Sequence, residues 1–271
     1  MTGTKKKPVK VVTKPFLTGG IMDENTLKNA LKFFGMLVLF FAVGLLVSLM
    51  GGFGSRILTV IFSAAVILLL LYISMTQGAR LGTEAVARGE ILYQRQEKGE
   101  EMTEGERKLS FHPAKGWVIG LLGTLPFLIL AIVYACIAKR QVTTVGMLPS
   151  LASGMMYRSE IGDALIPTYT ETPPAELADI LRPIVRACLM PVYRIADTEN
   201  KPLLLILDRL TPLMMLMPAL AYGFGYLQGK KERTRVHTSI AESRRIRKRR
   251  ENREKRERQN SAANRTPEQL N

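Results

Sequence analysis

Four segments of this chain contain no charged residue, and each of them is at least twenty residues long. They are residues 33–55, 57–79, 116–138 and 210–229. A helix needs about twenty apolar residues to cross the ~30 Å hydrocarbon core of a bilayer. Because the bilayer core offers backbone groups no hydrogen-bond partners, such segments must be helical. The sequence therefore predicts an all-α fold, a polytopic helical membrane bundle with four transmembrane helices.

The charged residues lie between these segments and are unevenly distributed. The chain carries 38 basic and 23 acidic residues, a net charge of +15. Residues 230–258 alone contain 14 basic and 5 acidic residues. The excess of positive charge is therefore concentrated in the C-terminal tail.

Basic flanking segments predict the orientation, because Lys and Arg are retained on the cytoplasmic side. The segment before residue 33, the connection 80–115 and the tail are basic. By contrast, Arg56 is the only charged residue between the first two charge-free segments. We predict a multi-pass protein of a bacterial-type plasma membrane with both termini cytoplasmic. Its predicted parts are a basic, disordered cytoplasmic N-terminus (1–32), a transmembrane hairpin (33–79), a cytoplasmic helical connection (80–115), span 3 (116–138), an extracytoplasmic loop (139–209), span 4 (210–229) and a cytoplasmic polybasic tail (230–271).

The extracytoplasmic loop contains a second helical pattern. Residues 176–189 place apolar side chains on one face and Arg182 and Arg186 on another, which predicts an amphipathic helix. It lies in the outer interface with its arginines toward lipid phosphates, or it packs on a small core of the loop. Counting back from residue 229 places Asp208 and Arg209 in the headgroup layer. A pair between Asp208 and Arg182 or Arg186 would close the loop over the bundle.

Small residues recur at intervals of four in three spans, a spacing that lets helices approach closely. The predicted packing positions are Gly44, Ser48, Gly52, Gly116, Gly120, Ala221 and Gly225. They fit contacts within the bundle or a dimer face. Three prolines inside the spans predict helix kinks, namely Pro126, Pro212 and Pro218. Broken helices often line transport sites, so a transporter subunit is an alternative function.

No motif for chemistry stands out. The two cysteines, Cys136 and Cys188, and the two histidines, His112 and His237, form no spaced metal set. We therefore predict no catalytic, cofactor or metal residues. A membrane enzyme using loop carboxylates, with Glu160 and Asp163 as candidates, is a further alternative.

The tail carries the strongest signal for a partner. Its predicted polyanion or lipid contacts are Arg244, Arg245, Arg247, Lys248, Arg249 and Arg250. Ser239 followed by Glu242 resembles the start of a new helix, so a break near Thr238 and Ser239 would let the tail bend back to anionic lipid. A continuous helix would instead carry Arg244 about 20 Å from the membrane at 1.5 Å per residue. In that case the partner is a soluble polyanion, such as RNA or the ribosome, or a protein.

These observations together predict a non-enzymatic membrane accessory or scaffold. Its partners are the lipid bilayer, an anionic lipid, RNA or the ribosome at the tail, and a membrane protein or a second copy of the chain. No aromatic residue interrupts the basic cluster, so a nucleic acid would be held through its phosphates and not by base stacking.

Overall fold

A computed structural model of the chain describes residues 13–49, 56–139, 176–196 and 201–263. The regular elements in these ranges are helices, and no strand occurs among the described residues. In chain order the helices are α1 (Glu24–Leu49), α2 (Arg56–Glu97), α3 (Glu104–Lys108), α4 (Lys115–Ile137), α5 (Leu177–Cys188), α6 (Met190–Ile195) and α7 (Lys201–Ala263).

Four of these helices, α1, α2, α4 and α7, are long and apolar enough to cross a membrane. Large apolar side chains on their outer surfaces are exposed, among them Leu39, Ile61, Ile129 and Leu213. Exposed apolar surface on this scale is unfavourable in water and is the normal state of a helix in lipid. The predicted all-helical fold with four such helices is therefore confirmed, and the protein is membrane-embedded.

The N-terminal part of the chain is more ordered than predicted. Helix α1 begins at Glu24, nine residues before the first charge-free segment. Asp23 and Thr26 exchange hydrogen bonds there, with Thr26 Oγ1 donating to Asp23 Oδ1 at 2.6 Å. The prediction of a disordered terminus up to residue 32 is thus corrected for residues 13–32, because local capping and apolar anchors order them. Residues 1–12, which hold four of the seven lysines that precede residue 33, lie outside the described residues.

The chain divides into two compact units. The first comprises Met1–Thr26, Ser74–Val118 and Ala221–Asn271, and the second comprises Leu27–Ile73 and Ile119–Leu220.

An aromatic stack forms the centre of the first unit. The rings of Phe111 and Tyr226 stack in parallel with centroids 5.1 Å apart, and Phe16 meets Phe111 edge-on at 6.0 Å. The extended segment that carries Phe16 is held by backbone bonds, with Leu17 N donating to Gly89 O at 3.1 Å. Ala85 and Val86 of α2 complete the buried cluster. Residues of the predicted connection 80–115, namely Ala85, Val86 and Phe111, therefore contribute to a core.

Helices α2 and α7 approach each other closely in this unit through glycines of both. A side-chain carbon at Gly78 or Gly82 would collide with the backbone of Tyr222 or Tyr226, and one at Gly225 would collide with Met75. Only residues without a Cβ allow helix backbones so close. The pairs advance in the same direction along both helices, so α2 and α7 run parallel here.

The second unit packs around aromatic and small residues. The Phe127 ring contacts Phe34 and Phe41, with centroids 5.3 Å and 5.0 Å away. Beside them, Ala131, Leu189, Tyr193 and Met215 form a buried cluster. Through Leu189 and Tyr193, the loop helices α5 and α6 pack on the membrane helices.

Helix α5 occupies the segment of the predicted amphipathic helix, but its faces are used differently. Ala178, Arg182 and Val185 are buried, whereas Leu177, Ile180 and Ile184 are exposed. The prediction that Arg182 points toward lipid phosphates is therefore wrong. One side of α5 packs inward and takes this arginine with it, and an apolar stripe remains on the outside.

Candidate functional site

The second unit contains a buried ion pair between the loop and α7. Asp208 is 1% exposed and accepts two bonds from Arg186, from Nη2 at 2.7 Å and from Nε at 3.1 Å. The hydroxyl of Tyr193 donates to the same carboxylate at 2.7 Å. The structure thus contains the Arg186–Asp208 pair that the sequence suggested. It buries Asp208 against α5 and α6, and the predicted depth of Asp208 in the headgroup layer stays a prediction.

The electrostatics of this cluster favour a charged Arg186 and a neutral Tyr193. Burial alone would lower the pKa of Arg186, but the hydrogen bonds and charge of Asp208 outweigh it, and the pKa rises above its ordinary value. Burial, and then the bond to Asp208, raise the pKa of Tyr193. Tyr193 therefore stays protonated and acts as a donor. The cluster connects α5 and α6 to the first turns of α7.

Arg182 makes a second connection in the same unit. Its Nη1 donates to Asp179 at 2.8 Å, and its Nη2 donates to the carbonyl of Lys139 at 3.1 Å. The Lys139 ammonium in turn lies 2.9 Å from Glu176. These bonds attach the start of α5 to the residues that follow α4.

The first unit contains a buried triad that sequence reasoning missed. Glu90 is 5% exposed, and its Oε2 accepts from Arg233 Nη2 at 2.9 Å and from Nε at 3.1 Å. Its Oε1 lies 2.7 Å from His237 Nε2. Burial alone would raise the pKa of Glu90, but the hydrogen bonds from Arg233 and His237 lower it below 4.5. The triad holds the basic end of α7 against α2.

A buried pair at the start of α1 adds a further connection in the first unit. Lys115 Nζ lies 2.5 Å from Asp23 Oδ2 and donates to the carbonyl of Lys108 at 3.1 Å. Burial alone would raise the pKa of Asp23, but the bonds from Lys115 and Thr26 lower it. Because the two charges pair with each other, neither is left buried without compensation.

The basic tail is helical throughout its described part. Helix α7 continues from Lys201 to Ala263, so the predicted break near Thr238 and Ser239 is wrong. Thr238 donates to the carbonyl of Thr234 at 2.8 Å, as a residue inside a helix can. All six residues of the predicted contact cluster, Arg244 to Arg250 without Ile246, are exposed. The six basic side chains are therefore accessible on the surface of α7.

The predicted packing positions differ in their surroundings. A Cβ at Gly116 would collide with Tyr226, and one at Gly120 would lie 2.9 Å from the carbonyl of Ala219. Gly225 faces Met75, Ala221 is half-buried, and Gly44 has no neighbour within 4 Å of the position of a Cβ. Gly52 and the side chain of Ser48 lie outside what the structure describes.

The alternative functions find little support around the prolines. Helix α4 continues through Pro126, and α7 continues through Pro212 and Pro218. Pro126 is exposed and Pro218 is buried. Next to Pro126, Phe127 makes the ring contacts given above, and next to Pro218, Ala219 is buried against Gly120. The transporter alternative needs a polar cavity, which these neighbours do not supply. Glu160 and Asp163, the candidates for the enzyme alternative, lie outside the described residues.

Within the described ranges no group of three metal-ligating side chains is found. Cys136 and Cys188 are both free thiols. Each carboxylate in the ion pairs described above contacts an Arg or Lys side chain. These clusters therefore serve to connect helices.

No protein-family model, curated protein sequence or solved structure matches this chain.

Proposed function

We propose that this protein is a non-enzymatic accessory or scaffold of a bacterial-type plasma membrane, with both termini cytoplasmic. In this proposal α7 anchors in the membrane and holds a polybasic surface in the cytosol for a soluble polyanion. The observation that carries the proposal is the continuity of α7 between its apolar span and its basic segment.

The continuity matters because of distance. Fifteen residues separate the end of the charge-free segment at Gly229 from Arg244, or about 22 Å at 1.5 Å per residue. Even a helix tilted by about 40° would place Arg244 roughly 17 Å from the membrane boundary. Both distances exceed the Debye length of ~8 Å at physiological ionic strength. Anionic headgroups would therefore attract this cluster weakly, and a soluble polyanion is the better partner.

The rigid mounting of the tail supports the same proposal. The bonds from Arg233 and His237 to Glu90 fix α7 to α2 about two to three turns before the basic cluster. A basic segment needed only to set orientation would function next to the membrane, where Lys230 and Lys231 already stand. A fixed helix that carries further arginines outward is suited to presenting them to a partner.

The test is photo-crosslinking in intact cells, with a photoreactive residue at the exposed position Asn252. We expect covalent products with a soluble polyanionic macromolecule, and we expect them to disappear when the six basic residues of 244–250 are replaced by Gln. Membrane insertion, measured by resistance to carbonate extraction, should be the same for both proteins. Crosslinks to lipid, or products that survive the substitutions, would contradict the proposal.

A further inference from the structure

The basic residues of the tail helix are arranged asymmetrically around its axis. At 3.6 residues per turn, one half of the helix between residues 244 and 258 carries seven basic residues and no acidic one. We call this half the basic face. Its members are Arg244, Arg245, Lys248, Arg249, Arg253, Lys255 and Arg256.

The other half, the mixed face, is neutral overall. It carries three arginines and all three glutamates of this stretch, namely Arg247, Arg250, Arg258, Glu251, Glu254 and Glu257. Arg247 Nε lies 3.0 Å from Glu251 Oε1. Arg250, Glu254 and Arg258 follow one another at intervals of four, the spacing at which helix side chains pair. The charge of the mixed face is thus compensated within the helix.

The basic face carries no acidic residue of its own, and glutamates compensate it only at its two edges, where Glu251 stands four residues before Lys255 and Glu257 four residues after Arg253. Arg245, Arg249 and Arg253 follow one another at intervals of four, where like charges destabilise a helix. A partner that brings negative charge to this face would relieve that repulsion. The face therefore fits an extended anion and not a single small one.

The chemistry of the face indicates which anion. Its only other side chain is Asn252, so the face offers no aromatic ring for base stacking and no apolar residue for the centre of a protein interface. Arginine forks bind phosphate oxygens in bidentate geometry. A nucleic-acid duplex presents one phosphate charge per ~1.7 Å of its axis in B-form DNA. The fifteen residues of this stretch, about 22 Å long at 1.5 Å per residue, match a row of such charges.

We infer that the basic face of α7 binds the phosphodiester backbone of a nucleic-acid duplex without reading its base sequence. This inference rests on the proposed function, because it names the polyanion and the surface that takes it. DNA and RNA duplexes share this chemistry, and the experiment separates them.

The experiment compares two matched variants of the full-length protein in neutral-lipid nanodiscs. One removes three charges from the basic face (Arg245→Gln, Arg249→Gln, Arg253→Gln). The other removes three charges from the mixed face (Arg247→Gln, Arg250→Gln, Arg258→Gln). Gln is a good helix former, and circular dichroism verifies that both variants keep their helix content. Binding of duplex DNA, duplex RNA and single-stranded oligonucleotides is measured between 50 and 200 mM salt.

The expected numbers follow from counterion release, with a slope of about −0.9 per phosphate contact on B-form DNA. With seven contacts the wild-type affinity for duplex DNA falls about 6,000-fold over this salt range. With four contacts, in the basic-face variant, it falls about 150-fold. The inference narrows the predicted contact cluster, because Arg247 and Arg250 lie on the mixed face. The mixed-face variant should therefore bind duplex DNA with the salt dependence of the wild type. Duplexes should bind more tightly than single strands, and the tighter of the two duplexes identifies the source.

Other outcomes would overturn the inference in distinguishable ways. If the wild type binds duplexes and the two variants lose equal affinity, the basic face is not the binding surface, but the proposed function stands. Duplex binding no stronger than that of a protein lacking residues 244–271 would overturn the inference, and the same result for single strands as well would overturn both. Binding to anionic vesicles that depends on the basic face and displaces nucleic acid would also overturn both.

Discussion

Replacing Asp208 by asparagine should destabilise the protein, because it would leave a largely buried guanidinium without its counter-ion. The side chain of Asp208 is 2% exposed and that of Arg186 is 22% exposed. Breaking a buried ion pair costs about 3–5 kcal/mol. Because Arg186 is partly in contact with solvent, we expect the lower part of that range or slightly less, about 2–3 kcal/mol. At about 2–4 °C per kcal/mol, the unfolding temperature should fall by roughly 5–10 °C.

A double-mutant cycle tests whether the pair itself is responsible. Asp208→Asn, Arg186→Gln and the double variant would be unfolded thermally in the same detergent, followed by circular dichroism. The double variant should cost about 2 kcal/mol less than the sum of the two single variants, since contacting residues are not additive. Arg209→Gln, at an exposed neighbour on the same helix, should stay within about 0.5 kcal/mol of the wild type. An Asp208→Asn protein as stable as the wild type, or strictly additive effects, would refute the assignment of this pair.

Two further predictions concern the first unit and the packing of the spans. Gly225→Ala should destabilise the protein by about 1–3 kcal/mol through overpacking against Met75. Gly44→Ala should leave the stability unchanged in the same thermal assay. Equal effects of the two substitutions would contradict the close approach of α2 and α7. Glu90→Gln should cost about 2 kcal/mol at pH 7, the value of hydrogen bonds to a charged group. Because the folded-state pKa of Glu90 is lowered, its stabilisation is complete above its ordinary pKa and is lost as the pH falls through the lower folded value. The difference between Glu90→Gln and wild type, measured from pH 7 to pH 3, should therefore shrink below about pH 4.5, and a constant difference would contradict the triad.

The four membrane helices were predictable because the thickness of the bilayer fixes both length and composition. The positions of individual ionisable groups were not. Counting residues placed Asp208 at the membrane boundary, but α5 and α6 cover it and supply Arg186 and Tyr193. That outcome depends on the fold of the loop, which span counting does not include.

The Glu90 triad was missed for a related reason. Its partners lie 143 and 147 residues away along the chain, and one glutamate among seven in the connection had no distinguishing sign by charge alone. The neighbours of Glu90 did offer one, because Ala85, Val86 and Gly89 mark a small, apolar face of α2. Arg233 and His237, four residues apart, mark the matching face of α7.

The break predicted at Ser239 shows the limit of a short capping motif. Ser239 and Glu242 fit the start of a helix, yet the same residues are compatible with a helix interior. The bonds from Arg233 and His237 to Glu90 hold the preceding turns in helical register, and good helix formers follow. The sequence therefore predicted a helix in the tail, but it left open whether this helix is continuous with the fourth span.

The distance between spin labels at Lys231 and Arg253 is the most direct test of the central claim, which is that the basic segment continues the membrane helix without a break. Both positions are exposed, and Cys136 and Cys188 would be replaced by serine so that only the introduced cysteines are labelled. In nanodiscs, double electron–electron resonance should give one narrow distance near 33 Å, the span of 22 residues at about 1.5 Å each. Ser239→Pro provides the broken-helix control. A short or broad distribution in the unmodified helix, resembling that control, would contradict the account.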